Sequence, residues 1–208
     1  MRGLNNFVYY QKKGKVNKTW VLLHGTGADE YDLVPLAQSL RDDFGIVSLR
    51  GNVSEGGMIR FFERKAMGEF VEESVRQEAK KLAEFIKAFG EENKVGVEEL
   101  IYLGYSNGAN MILALLMTVP ELVAEAVLLH PMLPLEERRL ELEAKRFFVS
   151  YGEADQMISA QESEKVIRFL KKYRGKVDKV AHSGGHEIRP EELVGVKEFV
   201  RPNDKMRG

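Results

Sequence analysis

The stretch ELIYLGYSNGANMILALLMTVP, residues 99–120, decides how the chain is read. An apolar run from Leu100 to Leu103 is interrupted by Gly104-Tyr105-Ser106-Asn107-Gly108 and resumes to Val119. The first run is too short for a helix and the second too long for a strand, so the spacing predicts a buried strand over 100–103 and a buried helix over 107–119. A serine where a strand turns straight into a helix sits at a strained apex, and side chains two residues either side of it would collide with neighbouring backbone. Glycine at both flanks removes that collision and leaves the hydroxyl exposed, as a nucleophile requires. The alternative for such a pentapeptide is a plain turn, and the strand-turn-helix setting argues against it.

Working outward, buried strands are predicted at Thr19–Leu23, Ile46–Leu49, Ala126–His130, Phe147–Tyr151 and Val177–His182. Amphipathic helices are predicted between them, at Asp29–Leu40, Glu69–Phe89, Ser159–Tyr173 and Pro190 to about Val200. Asp29 or Asp32 is a candidate N-cap for the first, Ser159 for the third, and Pro190 suits a first helical turn. Phe7–Gln11 reads as a strand with a hairpin at 12–15, and 50–68 as one long loop. Strands alternating with helices imply an α/β chain with a doubly wound, mostly parallel sheet and functional groups at the strand C-termini. A single domain over 1–200 with a frayed tail at 201–208 is expected.

With 31 Lys and Arg against 32 Asp and Glu, the formal net charge is −1, so no global field recruits nucleic acid or an anionic membrane. Cysteine is absent, which removes disulfides, thiolate metal sites and a cysteine nucleophile, and suits a reducing cytoplasm. No apolar run approaches the ~18 residues of a membrane span. The glycine turn His24-Gly-Thr-Gly-Ala28 after a buried strand lacks the third glycine of a dinucleotide fingerprint and the Gly-Lys-Ser/Thr of a P-loop. What it offers is backbone N–H groups beside the elbow, where an oxyanion could sit.

Ser106 needs a base, and the base needs an acid. In a serine elbow on a doubly wound sheet these follow in the order nucleophile, acid, histidine. His186, in Ser183-Gly-Gly-His186 after the last strand, fits the base better than His182, which reads as the strand's final packed residue. Asp155 fits the acid, with Glu153 and Asp178 as competitors and a turn or N-cap role as its structural alternative. Asn107 and Thr26 are the candidate oxyanion donors through their backbone N–H groups. His182 and His186 have H-x3-H spacing, but Ser183-Gly-Gly would not form the helix that puts them on one face, so no metal and no cofactor is expected.

These residues resemble the phospholipase/carboxylesterase family of the α/β-hydrolase superfamily. The resemblance rests on LLHGTGADE at 22–30, RGNVSEGGMIRFFER at 50–64, LGYSNGAN at 103–110, SYGEADQMIS at 150–159 and SGGHEI at 183–188, in the right order across nearly the whole chain. It implies a minimal α/β-hydrolase fold without a cap domain, Ser106 as nucleophile, Asp155 as acid, His186 as base, and Thr26 and Asn107 as the oxyanion hole. The implied activity is hydrolysis of carboxylic esters through an acyl-enzyme; thioesters or lysophospholipids on the same residues, or binding without turnover, are the alternatives. The partner is then a small-molecule ester, without stable membrane insertion, and nothing in the chain speaks against a homodimer. Only about sixteen residues separate the strands ending at His130 and starting near Phe147, too few for a domain-sized lid. Met58, Ile59, Phe61 and Phe62 on one side and Met132, Leu133, Met157 and Ile158 on the other are the expected walls of a shallow acyl groove suited to about C2 to C8 chains.

Overall fold

The computed structural model describes residues 6–66 and 68–201. The chain opens with β1 (Tyr9–Lys12), β2 (Thr19–Leu23), α1 (Val34–Leu40) and β3 (Gly45–Leu49). Four short strands follow, β4 (Val53–Glu55), β5 (Met58–Arg60), β6 (Arg64–Ala66) and β7 (Glu69–Phe70), and then the long helix α2 (Glu72–Asn93). The second half runs β8 (Leu100–Tyr105), α3 (Asn107–Thr118), β9 (Glu125–Leu129), β10 (Arg146–Gly152), α4 (Ala160–Lys172), β11 (Lys176–His182) and α5 (Pro190–Phe199).

Seven strands form one sheet in the order β1-β3-β2-β8-β9-β10-β11, parallel throughout except for β1. The central strands are almost continuously apolar because helices cover both faces. On one face α2, α3 and α4 bury Val75, Leu82, Phe85, Met111, Leu115, Val166 and Phe169; on the other α1 and α5 bury Ala37, Leu40, Val196 and Phe199. Every parallel strand therefore ends at one edge, where loops from β2, β8, β9, β10 and β11 meet.

Four expectations change. The segment at 12–15 is not a hairpin to β2, because β3 and β8 already occupy both flanks of that strand; β1 lies antiparallel on β3 instead, with Tyr9 opposite Leu49. The first helix starts at Val34 rather than Asp29, since the Asp29 carboxylate accepts the Tyr31 N–H (2.9 Å) in a local turn and Leu33 occupies the N-cap without a side-chain bond. The region 50–68 is not one loop: Gly56 and Gly57 have φ of 58° and 82° and close a two-residue β4–β5 hairpin, and β6 pairs with β7. That second pairing uses Glu69 and Phe70, so α2 starts only at Glu72. Of the expected tail, Arg201 is exposed and 202–208 lie outside the described residues. Between β9 and β10, residues 130–145 form no helix or strand, so no cap rises there.

Candidate active site

Ser106 stands between β8 and α3 with φ 52° and ψ −113°, a conformation that L-residues rarely adopt and that packing must impose. The flanking glycines show what imposes it. A Cβ at Gly104 would lie 2.6 Å from the Ala109 nitrogen, and one at Gly108 would lie 1.9 Å from the Leu23 carbonyl oxygen. The helix thus enters directly over the ends of β8 and β2. The Ser106 N–H donates to Leu129 O (2.9 Å), which fixes the turn to β9.

Two loops reach this hydroxyl. His186 Nε2 lies 2.9 Å from Ser106 Oγ, and His186 Nδ1 lies 2.6 Å from Asp155 Oδ2. The carboxylate accepts four donors, since Oδ1 also takes the Met157 and Ile158 N–H groups (2.8 and 3.0 Å) and Oδ2 also faces His130 Nδ1 (3.1 Å). Burial alone would raise the Asp155 carboxyl, but the Ile158 N–H, both imidazoles and the Met157 N–H outweigh it and hold it below the usual carboxylate range. Tyr105 closes the far side: its hydroxyl donates to His186 O (2.5 Å) and its ring packs on His186 and His130. Burial first, then the Asp155 and Glu192 charges, push this hydroxyl up to about 12, so it stays a donor. Glu153 and Asp178, the competing acids, are exposed and away from this chain of bonds.

His130 was legible only as a strand end, and Glu192 not at all. His130 has φ 51°, is fully buried, and lies between two carboxylates, with Nε2 3.1 Å from Glu192 Oε1 as an ion pair without a well-directed hydrogen bond. Acceptors at both ring nitrogens favour the doubly protonated ring: burial pulls its pKa down, but Glu192 and Asp155 prevail and raise it. Glu192 is itself fully buried, accepting Ser150 Oγ–H (2.5 Å) and the Arg189 N–H (2.5 Å), with His182 Nε2 3.3 Å away. Burial pushes its carboxyl up, but His130, the Ser150 hydroxyl and the Arg189 N–H outweigh it and hold it below the ordinary range. The available signal was Arg189-Pro-Glu-Glu192, in which an acid at the third helical position folds back on the N-cap N–H. His130, His182 and Glu192, and likewise His130, Asp155 and His186, are close enough to share an ion, but the two carboxylates already have protein donors. His182 and His186, the pair with H-x3-H spacing, do not fall in one such group.

In front of Ser106 lies a cleft of about 40 Å³ lined by Thr26, Asn107, Met132, Met157 and Ile158, together with Arg60, Arg64, Asn110, Gly68 and Phe70. Asn107 Oδ1 accepts the Phe61 N–H (2.8 Å) and Thr26 Oγ1 accepts Arg60 Nη1 (2.7 Å), so both candidate oxyanion residues are tied to the end of β5 and the residue after it. Five expected wall residues are elsewhere. Phe61 and Phe62 are buried in the core, Phe61 against His24 (centroids 4.8 Å) and Phe62 against Phe70 (5.0 Å), because the chain turns inward after β5. Met58 is exposed at the β4–β5 turn, and Leu133 packs against the core. Ile59 also sits on that hairpin, where its carbonyl accepts the Gly27 N–H (2.8 Å). The arginines supplied by RFFER were not anticipated there. His24 is held by two bonds, Nδ1–H donating to Gly25 O and Nε2 accepting from Gly51 N–H, and burial lowers its pKa, so it buttresses the glycine turn.

The sequence pattern of the phospholipase/carboxylesterase family matches residues 4–203. The chain belongs to this family. Among curated relatives, the putative hydrolase MhqD of Bacillus subtilis is 31% identical over 191 residues, covering 91% of this chain and 96% of that one. The Bacillus cereus carboxylesterase structure superposes with a TM-score of 0.90 at 36% identity, covering 93% and 92% of the two chains. A Mesorhizobium loti carboxylesterase gives a TM-score of 0.88 at 28% identity, with 93% of each chain covered. The family member described here is thus a hydrolase of the α/β-hydrolase fold, and no helix among its described residues is long and apolar enough to cross a membrane.

Proposed function

We propose that the protein is a serine carboxylesterase in which Ser106, His186 and Asp155 act as nucleophile, base and acid. The observation that carries the proposal is the continuous chain from Ser106 Oγ through His186 (2.9 Å) to Asp155 (2.6 Å) at a strained apex. Attack of Oγ on the ester carbonyl passes its proton to Nε2, and the resulting imidazolium is stabilised by Asp155, whose depressed pKa keeps it ionised. The Thr26 and Asn107 N–H groups would receive the developing oxyanion; Asn107 opens α3, where backbone N–H groups lack helical partners. His186 returns the proton to the departing alcohol, and water then cleaves the acyl-enzyme by the same steps in reverse.

The small cleft supports short acyl groups: about 40 Å³ holds roughly three water-sized groups, so chain lengths toward C8 would extend into solvent without further gain. Without a cap between β9 and β10, no rate jump at a lipid interface is expected. The test is hydrolysis of p-nitrophenyl acetate, butyrate and octanoate by wild type and Ser106→Ala. The variant should lose several orders of magnitude in kcat on every ester while remaining folded. Retention of more than about a tenth of the activity would remove Ser106 from the mechanism.

A further inference from the structure

The cleft wall beside Ser106 carries a charge imbalance. Arg60 is buried at 3% exposure, and the Arg64 side chain is 21% exposed. A buried guanidinium is costly unless an anion is near. Among the described residues the only carboxylate within 4.0 Å of either is Glu55, whose Oε2 lies 3.4 Å from Arg60 Nε and 3.2 Å from Arg64 Nε. That oxygen forms no well-directed hydrogen bond to either, and only Oε1 accepts from Arg64 Nε, at 3.4 Å. Two positive charges share one partly exposed negative charge, and the proximity of Arg64 joins burial in pulling the Arg60 pKa down against the pull of Glu55.

The rest of the described lining is uncharged. Among the described residues no acidic side chain lines the cleft, and the other polar groups on its wall are Thr26, Ser106, Asn107 and Asn110. Asn107 is 3% exposed; its Oδ1 is taken by the Phe61 N–H, which fixes the amide orientation and leaves Nδ2 a buried donor without an acceptor among the described residues. Arg60 Nε and Nη1 are used on Phe62 O and Thr26 Oγ1, whereas neither Nη atom of Arg64 bonds to a described protein group. A cleft with surplus positive charge and an unpaired donor, opening beside the serine, is complementary to an anion.

We infer that the preferred substrate is an ester that carries a second, anionic group, a carboxylate a few atoms from the scissile carbonyl, held by Arg64 beside Arg60 and Asn107. The inference rests on the esterase reading of Ser106 and deepens it. Arg60 binds Thr26 and so also positions the proposed oxyanion hole, whereas Arg64 has no such tie and is the residue to test. The small cleft sets a short spacer between ester and anion.

The test compares charged and neutral esters of the same shape: monomethyl glutarate with methyl glutaramate for an anion on the acyl side, and 3-acetoxybenzoate with 3-acetoxybenzamide for one on the alcohol side. Wild type should favour the anion in at least one pair by about tenfold or more in kcat/KM, with the preference shrinking as salt rises. Arg64→Gln should abolish most of that preference while the neutral member stays within about threefold of wild type, and Arg64→Lys should restore part of it. Glutarate, titrated calorimetrically, should bind wild type and not Arg64→Gln, a readout that needs no turnover. Equal rates within both pairs, or a preference and glutarate affinity unchanged in Arg64→Gln, would overturn the inference while leaving the esterase standing. Failure to hydrolyse any ester, with glutarate still bound through Arg64, would overturn the esterase reading alone.

Discussion

The polar groups behind Asp155 and those in front of Ser106 are built on opposite principles. Behind, Asp155, His130 and Glu192 alternate in sign, are buried, and are closed off by Ser150, the Arg189 N–H and the Met157 and Ile158 N–H groups. In front, Arg60 and Arg64 share, among the described residues, a single partly exposed Glu55, and Asn107 Nδ2 has no acceptor among them. In the first arrangement opposite charges compensate one another and fix geometry, so that Asp155 Oδ2 is held between His130 and His186. The second is satisfied only when something else arrives, which is how a binding surface differs from a scaffold.

The largest effect expected on this contrast is at its junction. Asp155→Asn removes the charge that stabilises the His186 imidazolium and allows the wrong tautomer, so kcat should fall by about four orders of magnitude, while Glu153→Gln changes it little. Steady-state kinetics of the two variants checks this, and the reverse ranking would move the acid.

Next is the scaffold itself. Removing His130 leaves two carboxylates facing each other without the ring between them, and His130→Asn should cost about 3 kcal/mol in urea unfolding. The pH dependence has a definite sign. His130 has a raised pKa, so its contribution is complete below the ordinary histidine value of about 6.5 and is lost as pH rises through the folded value. Asp155 and Glu192 have lowered values, so theirs is present above the ordinary carboxylate range of about 4 and lost in stronger acid. Besides these carboxylates, the groups around His130 are the Tyr105, His182 and His186 rings. The stability gap between wild type and His130→Asn should therefore be widest at about pH 4.5 to 6.5 and narrow in alkali; a gap that widens with pH would contradict a protonated His130.

The smallest effect is on the front wall. Arg64→Gln should change unfolding stability by no more than about 0.5 kcal/mol, because the side chain is partly exposed and its one ion pair is shared. A loss of 2 kcal/mol would class Arg64 with the scaffold.

What could be seen in the sequence divides along the same line. The elbow, the strand alternation and the positions of Asp155 and His186 follow from local signals: apolar runs of telling length, glycines where a Cβ cannot fit, and chain order at one sheet edge. The local capping pattern of Glu192 does not reveal its partner, because His130 and Glu192 meet only when the end of β9 and the start of α5 are brought together by a sheet whose strand order is not written locally. Met132, Met157 and Ile158 line the cleft as expected, and the other side differs for a related reason. Phe61 and Phe62 have the hydrophobicity of a pocket lining, but the Gly56-Gly57 hairpin turns them into the core and leaves their charged neighbours Arg60 and Arg64 at the cleft. β1 pairs with β3 rather than with β2, because adjacency in sequence is not adjacency in the sheet.

The account depends most on Ser106 being the attacking group, and covalent capture tests that directly. Wild type treated with a fluorophosphonate should lose activity and gain one adduct by intact-protein mass spectrometry, mapped to the peptide containing Gly104-Tyr105-Ser106-Asn107-Gly108, and Ser106→Ala should gain none. An adduct at another serine, or a wild type that hydrolyses esters and resists labelling, would contradict the account.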